Sequence, residues 1–176
     1  MQKQLAFFST QKGDEDTFKI LISSLKRNYR IYFFNYQSYL NLKKKINYKI
    51  NKKLFILKKF NNIIKKSELI LTGSSKQTFE KNIWLLSKKL KKKSLCIVDS
   101  WVNFEHRFNR KSYPNNIILP NKNFNKKILY NLKNRSKIYY LGNPSLEKYS
   151  KMKFKKNNNK ILFLTSRQKN SLDFKL

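Results

Sequence analysis

Short apolar runs alternate along this chain with segments whose apolar residues recur at steps of three and four. That order is the sequence form of repeated βα units around a parallel sheet. "QLAFFS" (4–9) opens as a strand. Asp14, Glu15 and Asp16 then stand where acids favour the positive end of a helix, whose inner face reads Phe18, Leu21, Ile22 and Leu25. "YRIYFFN" (29–35) is a second strand, rich in aromatic and β-branched residues. Within 36–58, "QSYLNLKKK" suggests a short helix and "KLFIL" a short strand.

Leu57, Phe60, Ile63 and Ile64 share one side of a helix leading into the strand "ELILTG". Phe79, Ile83, Leu86 and Leu90 mark the clearest helix, and Ser74 with Gln77 has the form of a capping box that would start it just after Gly73. "SLCIVDS" and "NNIILP" read as strands, "NFNKKILYNL" as a helix, and "KIYYLGNP" as a further strand. Gly13, Gly73 and Gly142 each follow an expected strand. In an open parallel sheet those loops form the ligand crevice.

Residues 1–150 suit one domain, the charged run 151–160 a linker, and "ILFLTSR" (161–167) the first strand of a second domain, begun within 161–176. The 41 Lys and Arg against nine Asp and Glu give a net charge of +32. Such a field attracts nucleic acid, acidic membrane surfaces and small anions alike. Much of it follows from composition bias, because Lys, Asn, Ile, Phe and Tyr have the codons richest in A and T. Arg, the better residue for two-pronged phosphate and base recognition, is scarce beside Lys, so a nucleic-acid partner is the lesser expectation.

The single Cys96 excludes a disulfide framework and a zinc constellation, and it fits a reducing cytoplasm as buried strand filler. The run Leu5 to Phe8 is too short for the apolar part of a secretory signal, and no run is long enough to span a bilayer. Membrane contact, if made, is expected to be peripheral, at an anionic inner face.

No P-loop, GxGxxG or HExxH occurs, so no phosphate-cradling or zinc-hydrolase motif defines the chemistry, and no metal site is expected. "TGSS" (72–75) places Gly73, Ser74 and Ser75 between a strand and a helix N-terminus, where N–H groups and hydroxyls can hold a phosphate or a sugar hydroxyl. The loop after Gly13 suits a phosphate less, since its three acids repel one. "DSWVNFEHRF" gathers rare side chains just past a strand end. Asp99 and His106 are candidate bases, Trp101 a stacking face, Asn103 a bidentate amide and Arg107 an anion clamp.

Taken in order, "ELILTGSS", "SLCIVDSWVNFEHRF", "NNIILPNKNFNKKILYNL", "KIYYLGNPSLEKY" and "KILFLTSR" resemble the N-terminal half of two-domain GT-B enzymes. That group includes glycosyltransferases, glycerophosphotransferase-like proteins and UDP-N-acetylglucosamine 2-epimerases. The resemblance covers roughly residues 65 to 167 and implies an α/β fold: a Rossmann-like open, mainly parallel sheet with helices on both faces. It also implies an acceptor-side domain facing a C-terminal domain that holds the nucleotide-sugar donor, without which the enzyme is inactive; no cofactor is expected in the chain itself.

By that resemblance Gly73, Ser74, Asp99, Trp101, Asn103, His106 and Arg107 face the cleft, and Gly142, Asn143 and Pro144 form the interdomain turn. The expected reaction is sugar transfer to a sugar or glycolipid acceptor in surface polysaccharide or glycoconjugate synthesis, with Asp99 or His106 as base. The epimerase branch is the weaker one, because its His- and Glu-rich signature is not matched by "DSWVNFEHRF". A basic nucleic-acid-binding α/β domain and a noncatalytic flavodoxin-like module are the competing readings.

Overall fold

Four-residue apolar runs flanked by polar sequence become strands buried on both faces, the arrangement that parallel sheets require. The structure, a computed structural model, describes residues 2–45, 52–75, 78–98, 107–108, 112–122, 130 and 132–144. Their strands are β1 (Gln4–Phe8), β2 (Arg30–Phe34), β3 (Ser67–Thr72), β4 (Lys93–Ile97), β5 (Asn116–Leu119) and β6 (Lys137–Tyr140). All pair in parallel in the order β2-β1-β3-β4-β5-β6. The helices are α1 (Lys12–Leu25), α2 (Tyr36–Lys45), α3 (Lys52–Lys66) and α4 (Thr78–Lys89).

Successive strand residues point to opposite faces, and each face has its own cover. Leu5, Phe7, Leu71 and Ile97 pack with Phe18 of α1 on one side. On the other, Ala6, Phe8, Phe34 and Ile70 pack with Leu42 of α2, Phe60 and Ile64 of α3, and Phe79, Ile83 and Leu86 of α4. Phe8 is the hub there, meeting Phe60 edge-on at 5.3 Å and standing 6.2 Å from both Phe34 and Phe79. Each such fully buried ring contributes about 2–3 kcal/mol by removal from water. The chain therefore has the expected open Rossmann-like α/β architecture, with helices on both faces.

A third cluster continues the second face toward the β6 edge: Trp84, Cys96, Val98, Ile117, Leu119 and Leu132. Trp84, Phe108 and Tyr113 stack nearly in parallel within it, at 5.7 and 6.3 Å.

Local chemistry accounts for the helix ends. Asn35 caps α2, its Oδ1 accepting from the Ser38 N–H at 2.8 Å. The α2 N-terminus also donates its Tyr36 N–H to Glu15 Oε2 at 3.1 Å, tying α1 to α2. α4 ends in a Schellman motif, with the Lys92 N–H donating to Ser87 O at 2.8 Å and the Lys91 N–H to Lys88 O at 3.1 Å. Lys91 takes the left-handed conformation that this motif demands, at φ 54°.

Three expectations are corrected. "KLFIL" is not a strand but part of α3, because Leu54 and Leu57 extend the spacing that continues through Phe60 and Ile64. Gly13 lies in the first turn of α1 rather than in a loop. Ser74 is not the cap of α4, which begins at Thr78. The expected helix at 123–132 is described only at its end, where Leu132 is buried, and the linker and second-domain strand lie outside the described residues.

Candidate functional site

The strand order reverses between β1 and β3: β2 follows β1 to one side of it, while β3 to β6 continue on the other. At such a switch point the two flanking connections part and leave a crevice at the carboxyl ends of the strands. Thr10 and Asp14 reach this point from the β1–α1 connection and the first turn of α1, and Gly73, Ser74, Ser75 and Glu80 reach it from β3 and α4.

Backbone bonds carry the sheet pattern past the strand ends and hold both loops. The Ser9 N–H donates to Phe34 O at 2.9 Å, and the Gly73 N–H donates to Phe8 O at 3.4 Å. The Gly73 carbonyl in turn accepts the Cys96 thiol at 3.2 Å. A Cβ at Gly73 would collide with the Asp14 carboxyl, so glycine is what allows the α1 N-terminus to close over β3.

Beneath this closure lies a ring of three oxygen contacts. Thr10 Oγ1 meets Ser75 Oγ at 2.9 Å, Ser75 Oγ donates to Glu80 Oε2 at 2.7 Å, and Thr10 Oγ1 also bonds Glu80 Oε1. All three residues are buried, Glu80 completely. Two hydroxyls supply two protons for three contacts. Thr10 shares its one proton between Ser75 Oγ and Glu80 Oε1, while Ser75 donates to Glu80 Oε2. Burial pushes the Glu80 carboxyl up, against the smaller lowering effect of its hydroxyl partners.

Glu15 behaves oppositely. Burial raises its carboxyl, but bonds from Lys19 at 2.6 Å, from the Tyr36 N–H and from Lys12 at 3.3 Å outweigh burial and hold it below its ordinary value. Cys96 is inert as a nucleophile: burial pushes its thiol well up, and the charges of Asp14 and Glu80 push it further.

Arg107 completes the described site. Its side chain is buried, and Nη1 donates to Ser74 Oγ at 2.6 Å. A serine oxygen accepting from a guanidinium is a poor nucleophile, and the Ser75 hydroxyl is already engaged with Glu80. These groups therefore suit the holding and orienting of hydroxyls rather than covalent catalysis. Among the described residues, no group of three or more His, Cys, Asp or Glu is arranged to hold a metal ion.

Of the residues singled out in the sequence, the structure places Gly73, Ser74 and Ser75 directly after β3 and bonds Arg107 to Ser74. Gly142, with φ 81°, and the buried Asn143 follow β6 at the same end of the sheet, but three strands from β3, about 14 Å away by strand spacing. Asp99, Trp101, Asn103 and His106 lie outside the described residues. Thr10 and Glu80 were not anticipated; the only signal is an acid in the first turn of α4 and a hydroxyl just past β1.

No helix among the described residues is long and apolar enough to cross a membrane. Comparison with protein-family models and with curated proteins returns no match to this chain.

Proposed function

We propose that this chain is the acceptor-side domain of a GT-B-type glycosyltransferase-like enzyme, binding a sugar or glycolipid acceptor at the β1/β3 switch point. The observation that carries this reading is the composition of the buried polar cluster at the switch point. Hydroxyls from Thr10, Ser74 and Ser75, carboxyls from Asp14 and Glu80, and the Arg107 guanidinium meet there without a glycine-rich phosphate cradle. Acids in the first turn of α1 disfavour a nucleotide phosphate and favour hydroxyl groups, which donate to carboxylates. The nucleotide-sugar donor then belongs to a facing domain. Asp99 or His106, which follow β4 in the sequence, would take the proton of the attacking acceptor hydroxyl.

Saturation-transfer NMR with a panel of neutral mono- and disaccharides and of nucleotide sugars tests this. Sugars should receive saturation from the protein, and Asp14→Asn or Arg107→Gln should abolish it while circular dichroism is unchanged. Absence of sugar contact, or equal contact in both variants, would overturn the reading.

A further inference from the structure

A cavity of about 410 Å³ opens at the end of the sheet opposite the switch point, toward the amino ends of β4, β5 and β6. That volume lies within the range of small-molecule sites, roughly 300–1,000 Å³. Its lining includes Lys88 from the last turn of α4 and Arg135 from the turn before β6, and no Asp or Glu among the described residues.

The polar groups are biased toward donors. Asn115 Oδ1 accepts from both the N–H and the hydroxyl of Ser94, each at 2.9 Å. A backbone N–H can only donate, so the Asn115 amide orientation is fixed and its NH2 is not taken up by Ser94. Lys88 makes no ion pair among the described residues. The Arg135 guanidinium is held over the Tyr113 ring, 5.0 Å from its centroid, which orders the fork before any ligand arrives. Ser112 spends its proton on Lys81 O, and Trp84 spends its indole N–H on Thr72 Oγ1. The Trp84, Leu85 and Pro114 portion of the wall is therefore mainly apolar.

The geometry points to a binding site for a small organic phosphate, such as a nucleotide or a sugar phosphate. Lys88, Arg135 and the Asn115 amide hold the phosphate, and the apolar wall takes the organic part. Arg presents two parallel N–H groups to a phosphate, and the ordered Asn115 amide adds a third donor. This site lies at the opposite end of the sheet from the β1/β3 crevice and does not depend on the proposed sugar transfer.

Isothermal titration at 150 mM salt with AMP, ribose 5-phosphate and adenosine tests it. AMP or ribose 5-phosphate should bind, with adenosine at least tenfold weaker. Tighter binding of AMP identifies a nucleotide; equal binding of the two identifies a sugar phosphate. The Lys88→Gln/Arg135→Gln variant should weaken phosphate-ligand binding at least tenfold. Lys26→Gln/Arg27→Gln, which removes the same charge at the exposed end of α1 on the opposite face, should change it less than twofold. Equal losses in the two variants would show general attraction to a +32 chain and overturn the site, as would no binding of either phosphate at 1 mM.

Discussion

The carboxyl group of Asp14 fills the volume into which a side chain at position 73 would project. Two segments 59 positions apart in the chain are thereby pressed together at the switch point, the first turn of α1 against the end of β3.

Gly73→Ala forces that carboxyl aside and should cost about 1–3 kcal/mol, the usual penalty for overpacking. Urea denaturation checks it. Asp14→Ala in the same chain should recover part of the loss, so that the double variant is more stable than the sum of the two single effects. Strict additivity would mean that the two positions do not share this space.

Glu80 sets a pH dependence whose sign is opposite to that of the ion-paired Glu15. Its folded value lies above the ordinary 4.5. The stability it contributes is fully present below 4.5 and is lost as pH rises toward and through the raised folded value. Glu15, held below 4.5, contributes stability above 4.5 that is lost as pH falls. Glu80→Gln keeps one donor for Thr10 and one acceptor for Ser75, so it should fold normally and gain on the wild type as pH rises above 4.5. Denaturation curves from pH 4 to 8 give the comparison; a constant difference would mean that Glu80 titrates as in the unfolded chain. Glu80→Ala leaves two buried hydroxyls with fewer partners and should cost about 2–4 kcal/mol.

Lys91 is the one described non-glycine residue with positive φ. Its backbone closes α4 through the Schellman bonds, and its exposed side chain takes no part in them. Lys91→Gly should therefore stabilise the protein by about 1 kcal/mol, the cost of a Cβ in the left-handed region. Thermal unfolding measures this, and a lower Tm would show that the side chain contributes more than the backbone strain costs.

The strands were readable because a parallel sheet buries both faces, which leaves continuous apolar runs such as Leu5 to Phe8 and Leu69 to Leu71. "KLFIL" carries the same composition, and a run of that length is ambiguous without its neighbours. The Ser74–Gln77 spacing fits a capping box, but the Ser74 hydroxyl accepts from Arg107, 33 positions away, and α4 starts later. Glu80 reads as an ordinary acid near a helix start. Its burial depends on Thr10, 70 positions earlier, a pairing that no local pattern encodes. Gly73, Ser74, Ser75 and Arg107 lie near one another because loops after neighbouring parallel strands converge. Gly142 and Asn143 follow β6, at the same end of the sheet but three strands from β3.

β1 has a strand on each edge and a helix layer on each face, and Phe7 and Phe8 are completely enclosed. Its amides can meet solvent deuterium only when the whole domain opens, so they belong to the slowest-exchanging set. Thr10 stands two residues beyond this strand, and Gly73 is bonded to its last carbonyl. A molecule seated at the crevice is therefore coupled to the most persistent cooperative unit of the fold, and its occupancy would slow exchange across the entire sheet rather than in the loops alone.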